Sequence, residues 1–360
     1  MDIIITAPSL DPKENVSGVS SVVKFIIDNN KEHHYIHFEL GKKDRERGGV
    51  FRLFPLLKAL GRWRRLLEEN REAVVHYSFP LSTASVLRDP LFMWMVRRRG
   101  MRMMVHVHGG LFLTAKKIPW LQMRILKRVF AMSVPFIALS DREVQVIRER
   151  FGAKDVSSLP NCVDLHGAES FQREVSHEVL NIGYLGRIAE TKGMDYLLAA
   201  CGHLKRENVP FTLYLAGKEE REGEYLPRFE RMLDDRLKYA GVVSGKEKTD
   251  FLKLLDIFVL PSYFEGLPMS LLECMSFGVV PLTTAVGSIP QYVKDGDNGL
   301  FIEKKDAETI VSQIKRLNDN RDLLSLLGSR AKETVFKLFS PSEYVKRLNA
   351  LYQKTVEKRV

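Results

Sequence analysis

Cysteine is scarce in this 360-residue chain: there are three, Cys162, Cys201 and Cys274, odd in number and far apart. No pair has metal-ligand spacing and no disulfide framework can be built from them, so a stapled secreted domain is excluded and a reducing, cytoplasmic setting is expected. Long apolar runs are missing too. A spanning helix needs about 20 apolar residues in succession, and the nearest stretch, 266–293, is interrupted by Glu273, three prolines and several Ser and Thr. The opening Met1-Asp-Ile-Ile-Ile-Thr-Ala-Pro-Ser begins with an acid and reads as a buried strand, not a secretory leader. There is no low-complexity tract, no short repeat and no phosphate loop of the Gly-x4-Gly-Lys-Ser/Thr type. Acid is nearly absent from one region: residues 51–130 hold 16 Lys+Arg against 4 Asp+Glu.

What is present is an ordinary globular balance, 45% hydrophobic, 28% charged and 9% aromatic. This excludes disordered and collagen-like chains. At about 100–200 residues per domain the chain should divide in two. The net charge of +10 is uneven: residues 1–170 hold 27 basic and 18 acidic side chains, residues 171–360 hold 28 and 27. The excess belongs to the first half and implies an anionic partner.

Short β-branched runs alternate with longer amphipathic stretches. Strands are expected at Ile3–Thr6, Tyr35–Glu39, Val74–Tyr77, Met103–His108, Phe136–Leu139 and Ser157–Leu159, with helices between them at Ser17–Ile27, Phe51–Glu69, Ala84–Arg99 and Asp141–Phe151. The plan repeats with strands at Leu180–Leu185, Phe211–Ala216, Tyr239–Val243, Ile257–Leu260, Val279–Leu282 and Leu300–Ile302. Continuous apolar strands alternating with helices mean a parallel sheet covered on both faces, and two such series mean two Rossmann-like domains. The boundary is expected near Leu165–Glu174, giving domains 1–168 and 169–340, with 341–360 a helix that crosses back to the first. Ligands of such sheets sit at the carboxyl ends of strands and at helix amino termini, and two domains offer the cleft between them.

Three strand ends carry unusual residues. In Gly183-Tyr-Leu-Gly-Arg187-Ile-Ala-Glu-Thr-Lys192-Gly193, two cations flank a tight loop that leads into a helix. They suit a diphosphate, Arg engaging two oxygens and Lys acting as a point charge, or are ordinary surface cations. In Pro261-Ser-Tyr-Phe-Glu265-Gly-Leu-Pro-Met-Ser-Leu-Leu-Glu273, Pro268 suits the first turn of a helix. Glu273 is the only charge from Gly266 to Val293, and burying it requires a hydrogen-bonding partner: ribose or sugar hydroxyls, or a structural Lys, with Glu265 then a solvated loop acid. In Val105-His106-Val107-His108-Gly109-Gly110, alternation puts His106 and His108 on one face; a metal held by the pair lacks an obvious third ligand. Ser17-Gly18 after the first strand is either an anion approach or a plain helix cap.

Taken together these motifs resemble the retaining glycosyltransferases of family 4, with the GT-B architecture of two Rossmann domains facing across a cleft. The resemblance covers most of the chain and is strongest from Asn181 to Glu303. Glu265-x7-Glu273 matches the family signature and GYLGRIAETKG its Gly-Arg-x4-Lys-Gly segment. LAGKEE, AGVVSGKEKTDFLKLLDIFVLPS and AVGSIPQYVKDGDNGLFI match in order and spacing. IALSDREVQVIRERFGAKDVSSLPNCVDL resembles the family's approach to the hinge, with Cys162 where a Gly is usual.

The resemblance implies roles for individual residues. Arg187 and Lys192 bind the donor diphosphate, joined by Gly18 of the first domain, where Ser17-Gly18 stands in place of a Gly-Gly pair. Glu273 binds the ribose. Glu265 contacts the transferred sugar and helps at the reaction centre, and His108 contacts that sugar near the reacting carbon, in a His-Gly-Gly variation of the family's pattern. Gly266, Leu267, Pro268, Met269 and Ser270 supply backbone contacts, and Val242 and Val243 border the base pocket. No cofactor or bound metal is implied; the donor, a UDP-sugar as the commonest case, is a cosubstrate and the acceptor a saccharide or lipid-linked saccharide. The basic, aromatic stretches Phe51–Leu67, Leu91–Arg99 and Leu121–Phe130 suit peripheral contact with an anionic membrane, hence a cytoplasmic protein at its inner face. Competing expectations are a nucleotide-sugar epimerase or phosphorylase on the same plan, and a basic nucleic-acid-binding protein, for which no motif is present although the isoelectric point is about 9.4.

Overall fold

The structure is a computed structural model that describes residues 1–15, 17–41, 53–174 and 178–357. Phe51 and Arg52 of the basic stretch lie outside the described residues. The chain forms two compact units, Met1–Asn161 together with Pro341–Val360, and Cys162–Ser340.

In the first unit the order is β1 (Asp2–Ala7), α1 (Gly18–Asn29), β2 (His34–Glu39), α2 (Leu53–Glu69), β3 (Val74–Phe79), α3 (Thr83–Arg98), β4 (Met103–Val107), α4 (Leu111–Thr114), α5 (Trp120–Phe130), β5 (Phe136–Ala138), α6 (Asp141–Phe151) and β6 (Val156–Ser158). The second unit contains β7 (Leu180–Leu185), α7 (Met194–Arg206), β8 (Phe211–Ala216), α8 (Leu226–Leu233), β9 (Leu237–Gly241), α9 (Gly245–Leu254), β10 (Ile257–Leu260), α10 (Met269–Ser276), β11 (Val280–Thr284), α11 (Ile289–Tyr292), β12 (Leu300–Ile302), α12 (Ala307–Asp319) and α13 (Arg321–Leu338). The last helix, α14 (Pro341–Glu357), packs on α1, β3 and β4 of the first unit.

Each unit has one six-stranded sheet, ordered β2-β1-β3-β4-β5-β6 and β12-β11-β10-β7-β8-β9. The named strand pairs are all parallel. β3 and β10 are buried at every residue, as strands covered on both faces must be. In the first unit α2, α3 and α5 cover one face: Trp63, Phe92 and Phe130 pack there with Phe38, Tyr77 and Phe136. Helix limits follow local chemistry. For α6, the Ser140 hydroxyl accepts the Glu143 N–H, and Gly152 ends the helix at φ +78, the left-handed cap that a side chain would oppose.

Several strands differ from expectation at their ends, β3 running on to Phe79 and β4 stopping at Val107 before His108; in two further strands the cause is local. β9 stops at Gly241, whose φ of +66 takes the chain out of the extended region, so Val242 and Val243 follow the strand instead of ending it. β11 runs on through Thr283 and Thr284, because their hydroxyls donate to the carbonyls of Leu260 and Ser262 and so satisfy buried polar atoms.

Candidate functional site

In the second sheet β7 lies between β10 and β8. Chain order reverses there, and the loops that leave β7 and β10 bound the crevice where open α/β sheets bind ligands. These are the loops that hold Arg187, Lys192 and Glu265.

Backbone contacts lock the loops together. Gly193 has φ +76, and a Cβ on it would lie 2.2 Å from the Pro261 carbonyl oxygen. The Tyr263 N–H donates to the Thr191 carbonyl at 2.9 Å. On the far side Gly287, at φ +59, leaves no room for a Cβ, which would meet the Glu265 carbonyl oxygen at 2.1 Å; the Ser288 N–H donates to the Gly266 carbonyl at 3.1 Å. Glu265 is therefore held by the loops after β7, β10 and β11.

The side chains then meet. Lys192 Nζ donates to Glu265 Oε1 at 2.6 Å, with the two side chains 26% and 10% exposed. Glu265 is thus a paired acid and not a solvated one. Arg187 Nη1 lies 3.7 Å from Glu220 Oε1 of the loop after β8, and its carbonyl accepts from the buried Tyr184 hydroxyl. Glu273, on α10, is largely shielded and accepts from Lys248 Nζ at 2.7 Å. Burial and Coulomb attraction act on that pair: attraction to Glu273 is the larger and raises the Lys248 pKa. Leu267 and Met269 are buried, Gly266, Pro268 and Ser270 half-buried. Pro268 caps α10 from outside, at φ −66 and ψ 129, instead of entering its first turn. Val242 and Val243 are half-buried beside the start of α9.

The first unit has its own polar cluster. His106 and His108 do share a face: their rings lie 4.2 Å apart. A third histidine, His76 of β3, joins them, with Nε2 3.1 Å from His106 Nδ1 and Nδ1 2.7 Å from the Tyr352 hydroxyl of α14. Burial pushes the pKa of His76 and of His108 down to about 3, so the rings are neutral. Among the described residues, His106 Nε2 and both ring nitrogens of His108 are shielded and have no hydrogen-bond partner, an expensive arrangement unless something bonds to them. Gly18 opens α1 with open space at its Cβ position, and Ser17 makes no side-chain cap.

One Asp-x-Asp triplet occurs, Asp295-Gly296-Asp297, but it makes a turn: Asp295 accepts from the Phe301 N–H and Asp297 pairs with Arg330. Among the described residues no group of three or more His, Cys, Asp or Glu is arranged to hold a metal ion, and no helix is long and apolar enough to cross a membrane.

The cationic helices lie side by side, α3 between α2 and α5. Their outer faces expose large apolar side chains, Phe54 at 77%, Trp94 at 48% and Trp120 at 74%. Arg98 stacks 3.7 Å above the Trp94 ring.

Lys248, His76, Tyr352 and Ser288 escaped the sequence reading. Only His76 carried a signal, a polar residue inside an apolar central strand. Lys248 looks like any cation on an amphipathic helix until the fold brings it to Glu273.

The chain resembles proteins that span both units. A sucrose-phosphate synthase from Thermosynechococcus elongatus superposes with a TM-score of 0.76 at 16% identity over 98% of each chain. Anabaena HepE in complex with UDP-glucose superposes with a TM-score of 0.74 at 14% identity, over 98% of this chain and all of that one. The expected α/β fold of GT-B type is the fold of these structures. In sequence, a putative colanic acid biosynthesis glycosyltransferase, WcaL, of Salmonella typhimurium is 27% identical over 47% of this chain, which spans only 44% of that relative's length. The UDP-Gal:alpha-D-GlcNAc-diphosphoundecaprenol alpha-1,3-galactosyltransferase of Escherichia coli is 24% identical over 82% of this chain and 79% of its own. Residues 168–334, the part of the second unit that holds the loops after β7, β10 and β11, match the family described as glycosyl transferases group 1.

Proposed function

We propose that the chain is a retaining, metal-independent glycosyltransferase of family 4 that moves a hexose from a UDP-sugar to a saccharide or lipid-linked saccharide acceptor in surface polysaccharide or glycolipid synthesis. The observation that carries this reading is the Lys192–Glu265 contact at the switch point of the second sheet, with Arg187 on the first loop and Glu273 on the helix after the second. The match to glycosyl transferases group 1 supports the reaction class. The Escherichia coli relative, named for a UDP-Gal donor and a diphosphoundecaprenol-linked acceptor, supports the choice of donor and acceptor.

Cleaving a sugar–phosphate bond leaves growing negative charge on the diphosphate. Cations already fixed in place stabilise that charge most when it is largest, in the transition state. Arg187 offers two donors in a fork and Lys192 a point charge. Glu265, beside Lys192, faces the transferred sugar; Glu273 takes the ribose hydroxyls; the backbone of Gly266–Ser270 and the half-buried Val242 and Val243 bound the phosphates and base. His108 contacts the sugar through ring nitrogens that have no partner among the described residues, and Gly18 lets the first amides of α1 approach phosphate. The exposed aromatic and cationic face of α2, α3 and α5 rests on the anionic inner surface of the membrane, where a lipid-linked acceptor lies, at about 1 kcal/mol per nearby cation.

The test is nucleotide release from UDP-glucose, UDP-galactose, UDP-N-acetylglucosamine and GDP-mannose, with and without a metal chelator. Turnover of one UDP-sugar that survives chelation is expected. Lys192→Ala and Glu265→Gln should each lower kcat by about 10²–10³-fold with the melting temperature kept. Full activity in both variants would remove the site.

A further inference from the structure

We infer that Lys248 is the positioning residue that makes Glu273 a reader of ribose hydroxyls, so that the site takes ribonucleoside diphosphates and rejects their 2′-deoxy counterparts; this rests on the nucleotide-sugar reading above. Glu273 sits on α10 among Leu271, Leu272, Cys274 and Met275, each fully buried, and its own side chain is 14% exposed. A carboxylate in such surroundings turns away unless a donor holds it. Lys248 comes from α9, 25 residues earlier, and its ammonium lies 2.7 Å from one oxygen, Oε1. The buried guanidinium nearby, Arg173, is committed elsewhere, to the carbonyls of Leu252, Lys253 and Phe277.

The pair has two effects. The lysine fixes the rotamer of the carboxylate. It also occupies one oxygen alone: among the described residues Oε2 has no hydrogen-bond partner. A carboxylate with one oxygen anchored and one open is an acceptor for a vicinal diol, whose two hydroxyls both donate. Sites that hydrogen-bond a substrate hydroxyl reject analogues lacking it far more strongly than apolar pockets reject a missing methylene. Had the ion pair been only a brace between α9 and α10, its loss would lower the melting temperature and leave the choice between ribose and deoxyribose untouched.

The experiment compares UDP with 2′-deoxy-UDP by titration calorimetry on the full chain. The unsubstituted protein should prefer UDP by about 10- to 100-fold, the range for a hydrogen bond to a charged group. Lys248→Met should reduce that preference to about threefold or less and raise KM for the UDP-sugar about tenfold with kcat little changed, the pattern of lost ground-state binding; Lys248→Arg should restore most of it. Glu273→Gln should lose the same preference, and the double variant should lose no more than either alone, which keeps the inference open to refutation if Lys248→Met folds poorly. Undiminished preference in Lys248→Met or Glu273→Gln overturns the inference, as does an unsubstituted protein that binds both nucleotides equally. If it binds neither UDP nor GDP, the nucleotide-sugar reading falls first and this inference with it.

Discussion

Gly193 shows what a single residue decides at this site. Its φ of +76 and the Pro261 carbonyl 2.2 Å from a would-be Cβ mean that any side chain pushes the loop after β7 away from the loop after β10. Gly193→Ala should cost about 2–3 kcal/mol of stability through backbone strain, read as a lower urea midpoint, and separate Lys192 from Glu265, read as a larger proportional loss of transfer. Sequence alone singled out several of these residues because they break local pattern: Glu273 as a lone charge in an apolar run, the two cations around a tight turn, the histidines at a strand end. It did not find their partners. Lys248 reaches Glu273 only because α9 and α10 pack, and His76 reaches His106 only because β3 and β4 pair, with Ser78 opposite His106.

The same tryptophan has opposite meanings on different faces of the helices. Trp63 of α2 is wholly buried, donates its Nε1–H to the Phe92 carbonyl at 3.1 Å and packs on Phe38. Trp63→Ala should cost about 3–5 kcal/mol, seen as a large fall in the urea midpoint. Trp94 of α3 and Trp120 of α5 face outward; replacing both with Ala should change stability by about 0.5 kcal/mol or less. The same double variant should lower binding to phosphatidylglycerol vesicles in a sedimentation assay, as should Arg→Gln changes at Arg62, Arg64 and Arg65. Unchanged sedimentation in both would remove the membrane contact. The basic stretches themselves were visible as composition. That α3 lies between α2 and α5, gathering three stretches into one face, depends on strand order, which hydrophobic periodicity does not encode.

For the molecule as a whole, the neutral histidines set an acid limit. His76, His106 and His108 have pKa values held below 6.5 by burial, those of His76 and His108 at about 3. The unfolded chain takes up these protons first, so stability is full above about pH 6.5 and is lost as pH falls toward 3. Asp89 opposes this: burial raises its pKa to about 6, so the folded state gains a proton before the unfolded one does. One such carboxyl works against three imidazoles, and the net expectation is a falling urea midpoint from pH 7 to pH 5, less steep in His76→Gln. The C-terminal helix shares in this limit, since the Tyr352 hydroxyl bonds His76 and ties α14 to the sheet it covers.

By itself the sequence determined the two strand–helix series, the loops that carry chemistry and the charge imbalance, because period, turn residues and isolated charges are local properties of the chain. Tertiary structure alone decided which loops touch, which cation holds each carboxylate and which helix faces stay open. Those outcomes depend on strand order and on backbone approaches such as Gly193 to Pro261, contacts between segments far apart in sequence whose geometry exists only once the sheets have formed.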